Sequence, residues 1–270
     1  MNWSPTVDII VPCYNVAHIV EQCVNSLLEQ SYSENTINIY LVNDGSTDTT
    51  GKILDSYSHH FQVNIFHHDK NRGLSAARNT GINAGDGEII FFLDSDMTVK
   101  PDWIINHLNI LGKDEIVGAI GDSCLPKGHS PNALDLYLYN ERRGARRIGE
   151  GVPIRFSYFL FNNTALKRSV FDVIELFDEN ITSYGGEDTE LAMRLWETYP
   201  DSLRFSSSAG CEHHHPRELS DFCNSMYNYG KTNLPSLLDQ FPQYTSDLGG
   251  QWVNSLKGYL LFNPILRWVV

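Results

Sequence analysis

The sequence predicts an α/β protein with a mostly parallel central sheet and helices on both faces, and three observations carry that class. Short apolar runs alternate with stretches of helical periodicity through residue ~121. The runs read as continuously apolar rather than in–out alternating, as strands covered on both faces do. The polar clusters at Asn15, Asp44 and Asp94 fall at the carboxyl ends of those runs, where such sheets bind ligands.

Asp8–Val11 is the first buried strand, closed by Pro12. Apolar residues at 16, 19, 20, 23, 24, 27 and 28 keep helical spacing for three turns, so an amphipathic helix follows. Ile37–Val42 is a second strand, ended by the turn and cap residues Asn43-Asp44-Gly45-Ser46. A helix over 47–58, a strand over 63–67 and a helix over 74–84 come next, then the strand Glu88–Leu93, which ends at Asp94-Ser95-Asp96. From 122 to 160 the pattern loosens, with a short helix expected over 132–140, and Phe156–Phe161 reads as a strand. Glu187–Tyr199 opens with acidic residues, as a helix N-terminus favours. Strands over 203–207 and 209–212 and a helix over 217–230 complete the pattern. No linker divides the chain, so residues 1–230 are read as one domain and 231–270 as a helical C-terminal extension.

The chain has 270 residues, of which 41% are hydrophobic and 20% charged, which excludes a disordered protein. With 33 acidic against 20 basic residues the formal charge is −13, which disfavours nucleic acid as a partner. Five scattered cysteines without CxxC spacing fit reduced thiols in a cytoplasmic protein. The N-terminus enters its first strand too soon for a signal peptide, and no run of 18 apolar residues exists to span a bilayer. The stretch 256–270 is apolar and aromatic-rich, and 245–270 is expected to lie on a membrane surface, on the main domain or against a second subunit.

Asp94 and Asp96 are the sharpest candidates. In an extended segment i and i+2 share a face, so the two carboxylates converge on one hard cation such as Mg²⁺ or Mn²⁺. The bland reading is a solvated turn. Asp44 can accept from a base N–H or a ribose hydroxyl, or cap a turn. Arg72 and Arg78 flank a helix start suited to a diphosphate, or are simply solvated. Glu187 and Asp188 follow Gly185-Gly186, which permit close approach of backbone or ligand, and either acid can serve as general base or helix-end charge. His213 and His215 share one face if extended, and either can add a metal ligand.

Taken in order, VDIIVPCYN (7–15), VNDGSTD (42–48), NRGLSAARNTGI (71–82), FLDSDM (92–97), FNNTALKR (161–168) and FDENITSYGGEDTELAMRL (177–195) resemble the family 2 inverting glycosyltransferases. The resemblance implies a GT-A fold, with a donor-binding part over 1–121 and an acceptor-side part over 122–230. It also implies a nucleoside-diphosphate-sugar donor with UDP favoured, and a glycan or glycolipid acceptor at the cytoplasmic side of a membrane. Pro12, Tyr14, Asn15, Asp44, Arg72, Arg78, Asp94 and Ser95 would then serve the nucleotide. Asp96, Asp94 and His213, or alternatively His215, would hold Mn²⁺ or Mg²⁺. Asn163, Gly186 and Glu187 would meet sugar or acceptor, and Asp188 would be the catalytic base with Glu187 beside it. Phe161-Asn162 stands where the family usually has glycines. The rivals are a sugar-nucleotide nucleotidyltransferase, which usually has a Gly-rich basic loop where this chain has VPCYNVAH, and a nucleotide-sugar-binding module without turnover, which the intact DSD and ED motifs oppose.

Overall fold

In a computed structural model of the chain, residues 3–214, 218–250 and 256 are described. His215 and almost all of the apolar C-terminal stretch lie outside them, so the alternative metal ligand and the expected membrane or subunit contact of 245–270 fall largely beyond the described residues.

The chain alternates β1 (Val7–Cys13), α1 (Val20–Leu28), β2 (Ile37–Asn43), α2 (Thr50–Asp55), β3 (Val63–His67), α3 (Leu74–Ala84) and β4 (Ile89–Leu93). It continues with β5 (Met97–Val99), α4 (Trp103–Leu111), β6 (Gly118–Cys124), α5 (Ala133–Leu138) and β7 (Asn163–Lys167). α6 (Glu187–Thr198), β8 (Leu203–His213), α7 (Leu219–Lys231) and α8 (Asn233–Gln240) close it. Eight strands form one sheet in the order β3-β2-β1-β4-β7-β6-β8-β5. β1 pairs in parallel with both β2 and β4, β2 with β3, and β6 with β8, while β7 and β5 run against their neighbours. The sheet is therefore mostly parallel, as the apolar runs required.

Side-chain alternation along the strands divides the core in two. Val7, Ile9 and Val11 face α1 and α4 through Val24, Leu27, Trp103 and Leu108. Ile10 and Phe92 face the other way, toward Ile82 of α3, Leu191 of α6 and a cluster of phenylalanines that includes Phe161 and Phe177. Leu237 and Phe241 join that second core, so the first part of the expected C-terminal extension is built into the fold.

Two expectations need correction. Phe156–Phe161 is not a strand: 156–158 forms a 3-10 turn, and the strand begins at Asn163, antiparallel to β4. Phe156, Phe159 and Phe161 are apolar because they fill the core, not because they extend a sheet. The two strands expected over 203–212 are one strand, β8, with a register break opposite Gly121–Ser123.

Candidate functional site

A crevice of about 1070 Å³ opens beyond the carboxyl ends of β1, β2, β4 and β6, between them and the start of α6. Its position follows from topology. β2 and β4 leave β1 in opposite directions, so their connections diverge and leave a gap at that edge.

Pro12, Cys13 and Tyr14 form one wall, and the Tyr14 side chain is half-exposed. Asn15 turns away: its side-chain oxygen accepts from the Thr47 amide at 2.8 Å, and its own amide donates to Ser46 Oγ at 3.0 Å. It braces the loop after β2 and does not line the crevice. Asp44, buried at the end of β2, accepts from the Arg72 amide at 2.8 Å and the Gly73 amide at 2.9 Å, and faces His68 Nδ1 at 2.7 Å. Gly45 makes that approach possible, because a Cβ there would lie 2.3 Å from the Lys70 carbonyl carbon. Arg72 contributes its amide; its guanidinium leaves the crevice to pair with Glu179 at 3.1 Å.

Asp94 and Asp96 do not lie in an extended segment. Residues 94–96 turn, with the Met97 amide donating to the Asp94 carbonyl at 3.1 Å, and the two carboxylates take different neighbours. Asp94 lies 3.7 Å from Arg78, whereas Asp96 Oδ2 lies 3.2 Å from His213 Nε2. β5 and β8 run antiparallel with Met97 opposite His213, which brings these distant residues together. The other ring nitrogen of His213 meets the Tyr139 hydroxyl at 2.7 Å. His214 faces Thr98 Oγ1 at 2.8 Å. Ser95 is buried beside the Cys13 thiol.

Arg78 is the electrostatic centre. Its side chain is 1% exposed, 2.5 Å from Asp188 Oδ1 and 3.7 Å from both Asp94 and Glu187. Burial would weaken its hold on a proton, but the three carboxylates outweigh burial and raise its pKa. Arg78 thus organises carboxylates, where the sequence reading gave it phosphates. Gly185 and Gly186, both at positive φ, deliver Glu187 and Asp188 to the first turn of α6. Asp188 Oδ2 accepts from the Phe161 amide at 3.1 Å. Burial, with Asp188 adjacent, lifts the Glu187 carboxyl to about 7 against the pull of Arg78. Burial also lifts Asp94, to about 6, with Arg78 opposing and Asp96 adding to the rise.

Asn163 is placed elsewhere than its expected sugar contact. It is fully buried, accepts from Trp103 Nε1 at 2.8 Å and donates to the carbonyls of Asp122 at 2.9 Å and Ala209 at 3.0 Å. It ties β7 to its neighbours, and the residue before it, Asn162, lines the crevice. Tyr139, Arg143 and Arg146 also line it and were not singled out from the sequence. The available signal was ERRGARR at 141–147, an arginine-rich run in an acidic chain.

The family model for glycosyl transferase family 2 matches residues 8–173. The chain belongs to that family. Among its relatives, the uncharacterized glycosyltransferase EpsJ of Bacillus subtilis is 48% identical over 92 residues, which is 34% of this chain and 26% of EpsJ. The glycosyltransferase GlyA of Streptococcus pneumoniae is 40% identical over 98 residues, 36% of this chain and 14% of GlyA. The matched stretch thus spans well under half the length of these relatives. Among solved structures, S. aureus TarS in complex with UDP superposes with a TM-score of 0.61 at 20% identity, covering 82% of this chain and 63% of that one. The mannosyltransferase PcManGT of Pyrobaculum calidifontis, in complex with GDP-Man and Mn²⁺, gives 0.63 at 22% identity, covering 81% and 59%. The GT-A fold implied by the family motifs is the fold found.

Proposed function

We propose that this family 2 chain transfers a sugar from a nucleoside-diphosphate sugar, with UDP as the nucleotide, to a hydroxyl of a glycan or glycolipid by one inverting displacement that uses a divalent cation. The observation that carries the reading is a crevice in which a nucleotide-type strand-end pocket meets a carboxylate fixed at a helix start, with His213, backed by Asp96, on its wall. The UDP and the GDP-Man with Mn²⁺ in the two structures of like fold support it. Residues 1–121 serve the donor in this reading and 122–230 the acceptor. The site works at the cytoplasmic face of a membrane, and no helix among the described residues is long and apolar enough to cross one.

The residues fit a metal ion by their donor chemistry. Asp96 and His213 present a carboxylate oxygen and an imidazole nitrogen 3.2 Å apart, a mixed set that suits Mn²⁺ better than the oxygen-preferring Mg²⁺. Among the described residues no group of three His, Cys, Asp or Glu side chains is arranged to hold an ion, so the diphosphate and water would complete the shell. Charge supports the same conclusion. The crevice is lined by five carboxylates (Asp44, Asp94, Asp122, Glu187, Asp188) and three arginines (Arg78, Arg143, Arg146), and needs added positive charge to take an anion. When bound, the ion supplies Lewis-acid stabilisation of the leaving diphosphate.

Asp188 is the base. Arg78 and the Phe161 amide each hold one of its oxygens, which orients the carboxylate toward an acceptor hydroxyl without reorganisation. With its carboxyl lifted to about 7, Glu187 holds a proton below neutral pH and in that form donates a hydrogen bond to sugar or acceptor. The test is calorimetric titration of UDP with and without Mn²⁺, repeated on Asp96→Ala. Mn²⁺-dependent binding that disappears in the variant supports the reading; wild-type protein that binds neither UDP nor GDP refutes the donor assignment.

A further inference from the structure

Three arginines line the crevice, and two are held in ion pairs. Arg78 is locked among three carboxylates, and Arg146 is paired with Asp122 and donates to the Ser123 carbonyl. Arg143 differs: among the described residues it is the one crevice-lining arginine in no ion pair. Its guanidinium is nevertheless held in place. The guanidinium carbon lies 3.7 Å above the Tyr137 ring, and Nη1 donates to the Tyr137 carbonyl at 3.3 Å. Arg143 also precedes the 3-10 turn Gly144–Arg147, which the Arg146–Asp122 pair clamps to the end of β6. An unmatched guanidinium on a fixed loop, in a crevice otherwise rich in carboxylates, is a recognition element for a tetrahedral oxyanion. The segment that carries it is joined through Tyr139 to His213, which puts it on the cation side of the crevice.

We infer that Arg143 is a phosphate-binding residue of the substrate crevice, its fork of N–H donors taking phosphate oxygens of the bound substrate. The inference rests on the nucleotide-sugar reading for its donor form. Two sources share this chemistry, the donor diphosphate and a phosphate carried by the acceptor, and the experiment separates them. Arg143 is half-exposed, so Arg143→Gln is expected to fold with a melting temperature within about 2 °C of wild type, as surface substitutions do.

Binding of pyrophosphate, UDP and uridine is measured by calorimetry or ligand-observed NMR with Mn²⁺ present. Farnesyl phosphate is then titrated into the UDP-saturated protein. Arg143→Gln is expected to raise Kd for pyrophosphate and UDP about tenfold and leave uridine unaffected, with Arg143→Lys recovering part of the loss. That outcome assigns the residue to the donor. Unchanged pyrophosphate and UDP binding with a comparable loss for farnesyl phosphate assigns it to a phosphorylated acceptor. Equal affinity of wild type and Arg143→Gln for all phosphate probes overturns the inference, as does wild-type protein that binds none of them. Wild-type protein that binds pyrophosphate through Arg143 but neither UDP nor GDP refutes the donor reading and leaves the phosphate site standing.

Discussion

Arg78→Met removes the one cation among Asp94, Glu187 and Asp188 while keeping a long side chain beside Phe177, whose ring centre lies 5.1 Å from the guanidinium. With Arg78 only 1% exposed, water cannot replace it. Breaking a buried ion pair in this way costs about 3–5 kcal/mol. The loss depends on pH. Without the guanidinium the folded-state pKa values of Glu187 and Asp94 lie further above their unfolded values of about 4, so the folded state binds the extra protons and its stability falls as pH rises through that window. At pH 8 Glu187 and Asp94 both press for charge and the full loss is expected. At pH 5.5 Glu187 and Asp94, already lifted to about 7 and about 6, hold protons for most of the time, and the loss shrinks toward the Asp188 contact alone. That contact is worth about 2 kcal/mol as a charge-assisted hydrogen bond. Urea denaturation followed by tryptophan fluorescence at the two pH values reads the difference. A loss equal at pH 5.5 and pH 8 refutes the electrostatic account, and a loss under about 1 kcal/mol at pH 8 refutes the central place given to Arg78.

Three further outcomes follow from the same geometry. Asp188→Asn is expected to lower kcat by about 10²–10⁴ with UDP affinity kept, in a donor-turnover assay; near-normal turnover removes Asp188 from the base role. Glu187→Gln is expected to keep most activity at pH 6, where the native side chain is protonated. It should also flatten the decline in wild-type stability up to about pH 7, leaving the part that Asp94 causes below about pH 6, and an unchanged pH–stability slope would count against a protonated Glu187. Tyr139→Phe takes away the hydroxyl 2.7 Å from His213 Nδ1, so the Mn²⁺ Kd measured with UDP present should rise about tenfold while metal-free UDP binding holds. Equal Mn²⁺ affinity would show that this hydroxyl does not orient the ring.

Local pattern determined much of this protein. The apolar runs Asp8–Val11, Ile37–Val42 and Glu88–Leu93 are parallel strands because unbroken apolar stretches of that length survive only when both faces are covered. Asp44, the 94–96 turn and the Glu187–Asp188 pair were legible because turn residues after such strands, and acids after paired glycines, sit at element ends where ligands bind. Tertiary structure decided what each side chain does there. Asn163 has the composition of a site residue, but β7 lies between β4 and β6, so its amide satisfies Trp103 and two carbonyls in the core. Arg78 looks like a phosphate ligand beside a helix start. Only the arrival of α6, 110 residues later, makes it the counter-ion of Glu187 and Asp188. Asp96 finds His213 solely through the antiparallel β5–β8 pair, two strands whose separation in sequence no periodicity can bridge. Periodicity reports which face of an element is buried, whereas the partner across a crevice is set by strand order, and strand order is a property of the whole sheet.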